Sequence, residues 1–265
     1  MSIVILSPFD LALAASLVGL VALLSYLMHL HLERQILIAA ARTTVQLMLV
    51  GLVLKALFSH VHLGWIILVA TIMLLAAGRE VLARQKRRFR GMWGFGLGTF
   101  SMFISSFAIT ILTLTVLIGP VPWYEPQYAV PLLGMLLGNT MNGIAIGLDR
   151  LTSSAYDQRT LIEGRLMQGE PWQQAIETLR RESIRAGLIP IINSMAAAGL
   201  VSLPGMMTGQ ILGGNPPMEA VKYQILIMFL IAGGTGLGTV AAIWLGSRRL
   251  FDERQRLRLD RLKSH

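Results

Sequence analysis

Long apolar runs alternate along the chain with short polar, mostly basic segments. The runs cover about residues 9–30, 36–58, 63–78, 91–119, 131–148, 188–204 and 219–246. Most approach or exceed the ~20 residues a helix needs to cross a bilayer. The pattern predicts an all-α fold: a polytopic transmembrane helical bundle of about seven spans with a cytoplasmic helical hairpin. The third run is short. The fourth is long, and its "GMWGFGLG" start suits the membrane interface. The first is too long, and too poorly flanked by basic and small residues, for a cleaved signal peptide.

The run "SLPGMMTGQILGG" (202–214) interrupts this pattern between two apolar segments. Pro204, Gly205, Gly209, Gly213 and Gly214 would break a span there. Non-helical backbone at membrane depth is tolerated only where protein or water surrounds it. One expectation is a pathway or gate segment. In it Met206, Met207, Thr208 and Gln210 face a route or a second copy of the chain, and Gly205 supplies left-handed backbone after Pro204. The other expectation is an ordinary loop between two spans.

The largest polar insert, 149–187, carries helical periodicity. Leu148, Leu151, Ala155, Ile162 and Leu166 follow three- and four-residue steps, as do Trp172, Ala175, Ile176 and Leu179. Glu177 and Arg181 form an i,i+4 pair. Gly169 suits the end of the first helix and Pro171 the opening of the second. The segment reads as a hairpin with arms of roughly 25–30 Å. Its tip is Gln168, Gly169 and Glu170, with Trp172 just beyond.

Charge orients the bundle. The segment 79–90, the insert 149–187, the tail from Ser247 and Arg34 together hold twenty of the 23 Lys and Arg. Simple alternation of spans puts all of them on one side. The positive-inside rule makes that side the cytoplasm, with the N-terminus out and the C-terminus in, as in a bacterial inner membrane. "PVPWYEPQYAVP", on the other side, has no basic residue, and Trp123, Tyr124 and Tyr128 suit the interface. The tail 247–265 reads as a solvated or membrane-surface helix. The whole chain, 1–265, reads as one transmembrane domain.

Composition agrees. The chain is 54% hydrophobic and 14% charged, with mean hydropathy +0.62, against roughly 25% charge in a soluble domain. The net charge of +9 would suggest nucleic acid in a soluble protein, but here topology explains it. There are no cysteines, which excludes disulfides, thiolate metal sites and a cysteine nucleophile. No G-x-x-x-x-G-K-[ST] occurs, so the chain has no P-loop for ATP. Glycines four apart (Gly94/Gly98, Gly134/Gly138, Gly143/Gly147, Gly234/Gly238) suit close helix packing.

Polar residues within spans are costly and face a bundle interior. Arg42, Gln46, Asn139, Thr140, Asn142, Asn193 and Ser194 are therefore substrate-path candidates, each with the alternative role of inter-helix hydrogen bonding. Metal ligands are sparse. Fe²⁺ suits imidazole and carboxylate, whereas His29/His31 and His60/His62 fall on opposite sides, and no Asp or Glu lies near the middle of a span. Missing midspan acids also argue against a proton- or sodium-coupled carrier. Neither a His/Glu metal pair nor a Ser/His arrangement supports an intramembrane enzyme. A stand-alone channel or secondary carrier is the rival class.

Three stretches, "YAVPLLGMLLGNTMNGIAIGLDRL", "EPWQQAIETLRRESIRAGLIPIINSM" and "GLVSLPGMMTGQILGGNPPMEAVKYQILIMFLI", together resemble the FetB-type permeases. "RTTVQLMLVGLVLKALF" extends the resemblance towards the N-terminus. These permeases are membrane subunits of ABC transporters associated with iron export. Plant relatives connect the family with aluminium tolerance and a sugar-nucleotide cargo. The resemblance implies two copies of the permease and a separate ATPase, in two copies, that holds ATP and Mg. It implies no cofactor in this chain and no enzymatic activity of its own. It makes the hairpin tip, Gln168, Gly169, Glu170 and Trp172, the ATPase-coupling element. It favours the functional reading of 202–214.

Overall fold

The computed structural model describes residues 7–59 and 61–264, so His60 lies outside the described residues. The chain divides into two compact units, Met1–His62 with Leu212–Gly214, and Leu63–Ile211 with Asn215–His265.

The first unit contains helices α1 (Pro8–Leu27) and α2 (Glu33–Ser59). Ser7 caps α1 in a reciprocal box with Asp10, and Pro8 starts the helix where its missing N–H has no cost. A turn joins the two helices. His29 and His31 adopt left-handed backbone there, and the Leu32 amide donates to Ser25 Oγ at 3.1 Å.

The second unit holds the core. Its helices include α3 (Leu63–Ala83), α4 (Met92–Met102), the five-residue α5 (Ala108–Leu112), α6 (Pro126–Asp157), α9 (Glu177–Ala197) and α11 (Pro217–Arg249). Among the described residues, six helical stretches are long and apolar enough to cross a membrane: Pro8–Leu27, Glu33–Ser59, Leu63–Ala83, Met92–Ile118, Pro126–Asp157 and Pro217–Arg249. The protein is thus an all-α polytopic membrane protein. Helix α3 is longer than the short third run suggests. The apolar run at 188–204 is differently placed: α9 begins among charged residues at Glu177 and stops at Ala197.

Glycine contacts give the helix directions. A Cβ on Gly98 would meet Val81, and one on Gly94 would meet Leu82, so α3 and α4 are antiparallel. Gly143 faces Thr239 and Gly147 faces Ile243, so α6 and α11 are parallel. Gly143 also faces Gly187 and Gly147 faces Ser183, so α9 runs against both. Since α6 and α11 point the same way, α9 must return the chain between them. Ala, Gly and Thr side chains allow these backbones to approach where larger ones would not.

Between Phe103 and Phe107, and again between Thr113 and Ile118, the helix after α4 widens into π-turns flanking α5. Hydroxyls explain this locally. Ser101, Ser105, Thr110 and Thr113 each donate to the carbonyl four residues earlier and compete with the helical ladder.

The tail departs from the expected helix. Helix α11 ends at Arg249, where Arg248 and Arg249 suit the negative end of its dipole. Arg261 then donates to the carbonyls of Arg249 and Phe251 at 2.8 and 3.1 Å, so the chain folds back instead of continuing. A 3₁₀ turn (Leu259–Arg261) leads into strand β2 (Leu262–Ser264). It pairs antiparallel with β1 (Arg87–Phe89), Arg88 opposite Lys263.

Candidate functional site

The three basic segments that charge places on one side converge in the second unit. Besides the β1–β2 pairing, the Lys86 amide donates to Asp149 Oδ1 at 2.6 Å, and Thr152 Oγ1 donates to the Arg87 carbonyl at 2.7 Å. The Arg87 guanidinium lies 3.4 Å from the centre of the Tyr156 ring, a cation–π contact. Helix α6 therefore carries both the strap after α3 and the folded tail.

The hairpin grows from the same base. Helix α6 breaks at Gln158 and continues as α7 (Arg159–Met167). Gly169 turns the chain with φ +89°, so the expected glycine stop is present. Pro171 precedes the short α8 (Trp172–Ala175) instead of opening it, and Ile176 separates α8 from α9. Each arm is therefore segmented. Glu177 and Arg181 form the expected ion pair on an exposed face.

The tip is anchored. Trp172 stacks on Phe251 with ring centroids 5.4 Å apart and planes 25° from parallel. Its backbone N–H donates to Gln255 Oε1 at 3.1 Å. Gln168 and Gly169 stay exposed and Met167 is 84% exposed, so one edge of the tip faces outward while the other is fixed to the tail. Within the tail, the Arg258 guanidinium holds the Asp260 carboxyl down at about 2. Asp252 is lowered too, mainly by the Arg256 amide. A depressed carboxylate stabilises the fold above its ordinary value and loses that effect as the pH falls through the folded one. Near neutral pH both contributions are fully present.

At the opposite end of the second unit, residues 198–204 are not helical. Gly199 takes φ +84°, its amide donates to the Ser202 carbonyl at 2.9 Å, and Ala198 bridges Ser202. Helix α10 (Gly205–Leu212) follows, with Thr208 Oγ1 donating to the Pro204 carbonyl at 3.2 Å. The left-handed expectation at Gly205 is corrected: Gly205 is helical, and the positive-φ glycines that flank this segment are Gly199 and Gly214. Gly209 likewise lies inside α10.

Helix α10 separates two cavities. Met206 and Gln210 line one of about 410 Å³ with Tyr128, Met135, Glu219 and Tyr223. Met207 and Pro204 line the other, of about 550 Å³, against α9 and α11.

The remaining candidates do not converge. Arg42 and Gln46 lie on exposed turns of α2 in the first unit. Asn139 donates to the Met135 carbonyl of its own helix at 2.8 Å. Asn142 accepts from the Arg84 guanidinium, so its amide ties α6 to α3. Asn193 is exposed on α9. Among the described residues, no three His, Cys, Asp or Glu side chains are grouped to hold a metal ion. Sequence reasoning missed Gln224, an amide buried in α11, although a polar residue inside an apolar run was the available signal. It also missed Phe251 and Gln255, which carry no pattern until the tail folds back.

The profile of the uncharacterised protein family UPF0014 matches residues 8–251. The chain is 41% identical over 248 residues to a Synechocystis protein named UPF0014 membrane protein, covering 94% of this chain and 95% of that one. It is 36% identical over 260 residues to the Escherichia coli "Probable iron export permease protein FetB", covering 96% of each. It is 32% identical over 234 residues to the Arabidopsis protein ALUMINUM SENSITIVE 3, covering 88% of this chain and 84% of that one. No solved structure matches the chain.

Proposed function

This chain belongs to the UPF0014 family, and on that premise we propose that it is the membrane-spanning permease subunit of an ATP-driven exporter. Two copies form the membrane part, and a separate ATPase, also in two copies, hydrolyses ATP with Mg. The cargo is a metal ion, in line with the iron named for the Escherichia coli relative.

The observation that carries this reading is the Trp172–Phe251 stack. It fixes the inner side of an exposed hairpin tip to the end of α11, while the base of the hairpin is continuous with α6. A force applied at Gln168, Gly169 and Glu170 therefore reaches two long helices packed in parallel. A subunit without a P-loop needs such a connection to use ATP hydrolysed elsewhere.

In this reading α9 and the break at 198–204 after it together make a seventh crossing, because the apolar half of α9 alone is too short to span a bilayer. Its charged first half stands in the cytoplasm and its apolar second half lies in the bilayer. The basic platform is cytoplasmic, the N-terminus is outside, and the bilayer is the bacterial inner membrane. The break at 198–204, α10 and its two cavities then lie near the outer surface, where cargo would leave.

Cysteine crosslinking tests the assignment. A cysteine at Gly169 or Glu170 should crosslink to the partner ATPase. Replacing 168–170 with a flexible linker should leave hydrolysis uncoupled from transport. Coupled transport after that replacement would remove the tip from the mechanism.

A further inference from the structure

Met195 on α9, Met207 on α10 and Met228 on α11 line the same cavity of about 550 Å³. Three separate elements thus each bring a thioether to one space. The remaining wall is apolar except for Gln224, which is 8% exposed and whose Oε1 has no hydrogen-bond partner among the described residues. Leucine would fill this wall as well as methionine does. What leucine lacks is a polarizable sulfur.

The chemistry narrows the ligand. Among the described residues, no Asp, Glu, His, Lys or Arg lines the cavity. A hard divalent ion entering it would lose its hydration with no charge to replace it. A soft monovalent ion is different, because thioethers select Cu(I)-type ions over hard ones. Methionine has three rotatable bonds, so the side chains can close around an ion much smaller than the cavity. Met195 is 39% exposed and gives the cavity an approach from its rim.

We propose that this cavity binds a soft monovalent metal cation of the Cu(I) or Ag(I) class. Met195, Met207 and Met228 supply sulfur, and the Gln224 amide oxygen supplies the fourth donor. This goes beyond the export reading and stands without it: the site takes a soft monovalent ion whether or not that ion is the cargo.

Silver(I), which needs no reductant, is the probe. The full chain in nanodiscs, without ATPase, is equilibrated with Ag(I), and bound metal is counted. The chain has no cysteine, so any sulfur seen by X-ray absorption is thioether. One ion per chain with a sulfur shell is expected. Combined Met195→Leu, Met207→Leu and Met228→Leu should weaken binding by roughly 10- to 100-fold or more, the scale of lost metal-site interactions. Met195→Leu and Met228→Leu, at partly exposed positions, should each weaken it alone. Met92→Leu and Met167→Leu, at exposed positions away from this cavity, should not, and excess Fe²⁺ should not compete. Unchanged affinity in the cavity variants, or an equal loss in the surface variants, overturns the site. An apolar molecule co-purifying in the cavity with no silver bound would overturn it as well. Silver binding with no ATP-driven transport of either iron or silver would sink the export reading and leave this site standing.

Discussion

Gly143 on α6 and Gly187 on α9 meet so closely that a Cβ on Gly187 would lie 2.5 Å from the Gly143 carbonyl oxygen. The obstacle is backbone, which cannot move aside as a side chain can. This contact, with Thr239 beside it, sets the three-helix seam of α6, α9 and α11. Gly187→Ala should therefore destabilise the purified protein by about 1–3 kcal/mol, the usual cost of overpacking. A thermal melt in detergent reads this. Gly164→Ala, with nothing within 4 Å, should not lower the melt.

The Trp172–Phe251 stack should show as a coupling between two mutations. Trp172→Ala and Phe251→Ala each loosen the tip. In a double-mutant cycle, the pair should interact by about 0.5–1.5 kcal/mol. Hydrogen exchange at 165–172 should rise in either single variant. Strict additivity of the two changes would mean that the rings touch without fixing the hairpin.

Two glycines near the break at 198–204 should behave oppositely. Gly199→Ala forces a side chain into left-handed backbone and should cost about 1–2 kcal/mol. Gly205→Ala sits in a helix with open space around its Cβ and should be tolerated. Thermal stability of the two variants distinguishes them. Equal losses would contradict the placement of the break at 198–204.

The absence of cysteine makes topology directly readable. A cysteine at Gln127 should react with an impermeant reagent added to intact cells. One at Gln168 should react only after permeabilisation. Labelling of Gln168 from outside would invert the orientation and separate the hairpin from any cytoplasmic ATPase.

Periodicity and charge made the helices, the hairpin turn at Gly169 and the grouping of the basic segments legible, because each depends on local pattern or on water. The tail was not legible. Its reversal depends on Arg261 reaching the Arg249 and Phe251 carbonyls, and its strand is three residues long. Strand β1 is equally short and basic, so neither half of the pair signals a strand alone. The extent of α9 was misread because its charged and apolar halves look like two elements in sequence. Asn139 and Asn142 looked equivalent at a spacing of three. One bonds within its own helix and the other accepts from Arg84, a distinction that only the packing of α3 on α6 makes.

The central claim is that this chain moves a metal cation when a separate ATPase acts on its hairpin. The direct measurement is uptake of metal into inside-out proteoliposomes holding the permease, with ATPase, ATP and Mg supplied outside. The account predicts ATP-dependent accumulation that disappears without the ATPase. It should also be lost when 168–170 are replaced by a flexible linker, while hydrolysis persists. Accumulation that proceeds equally without the ATPase would show a channel or secondary carrier and would contradict the account.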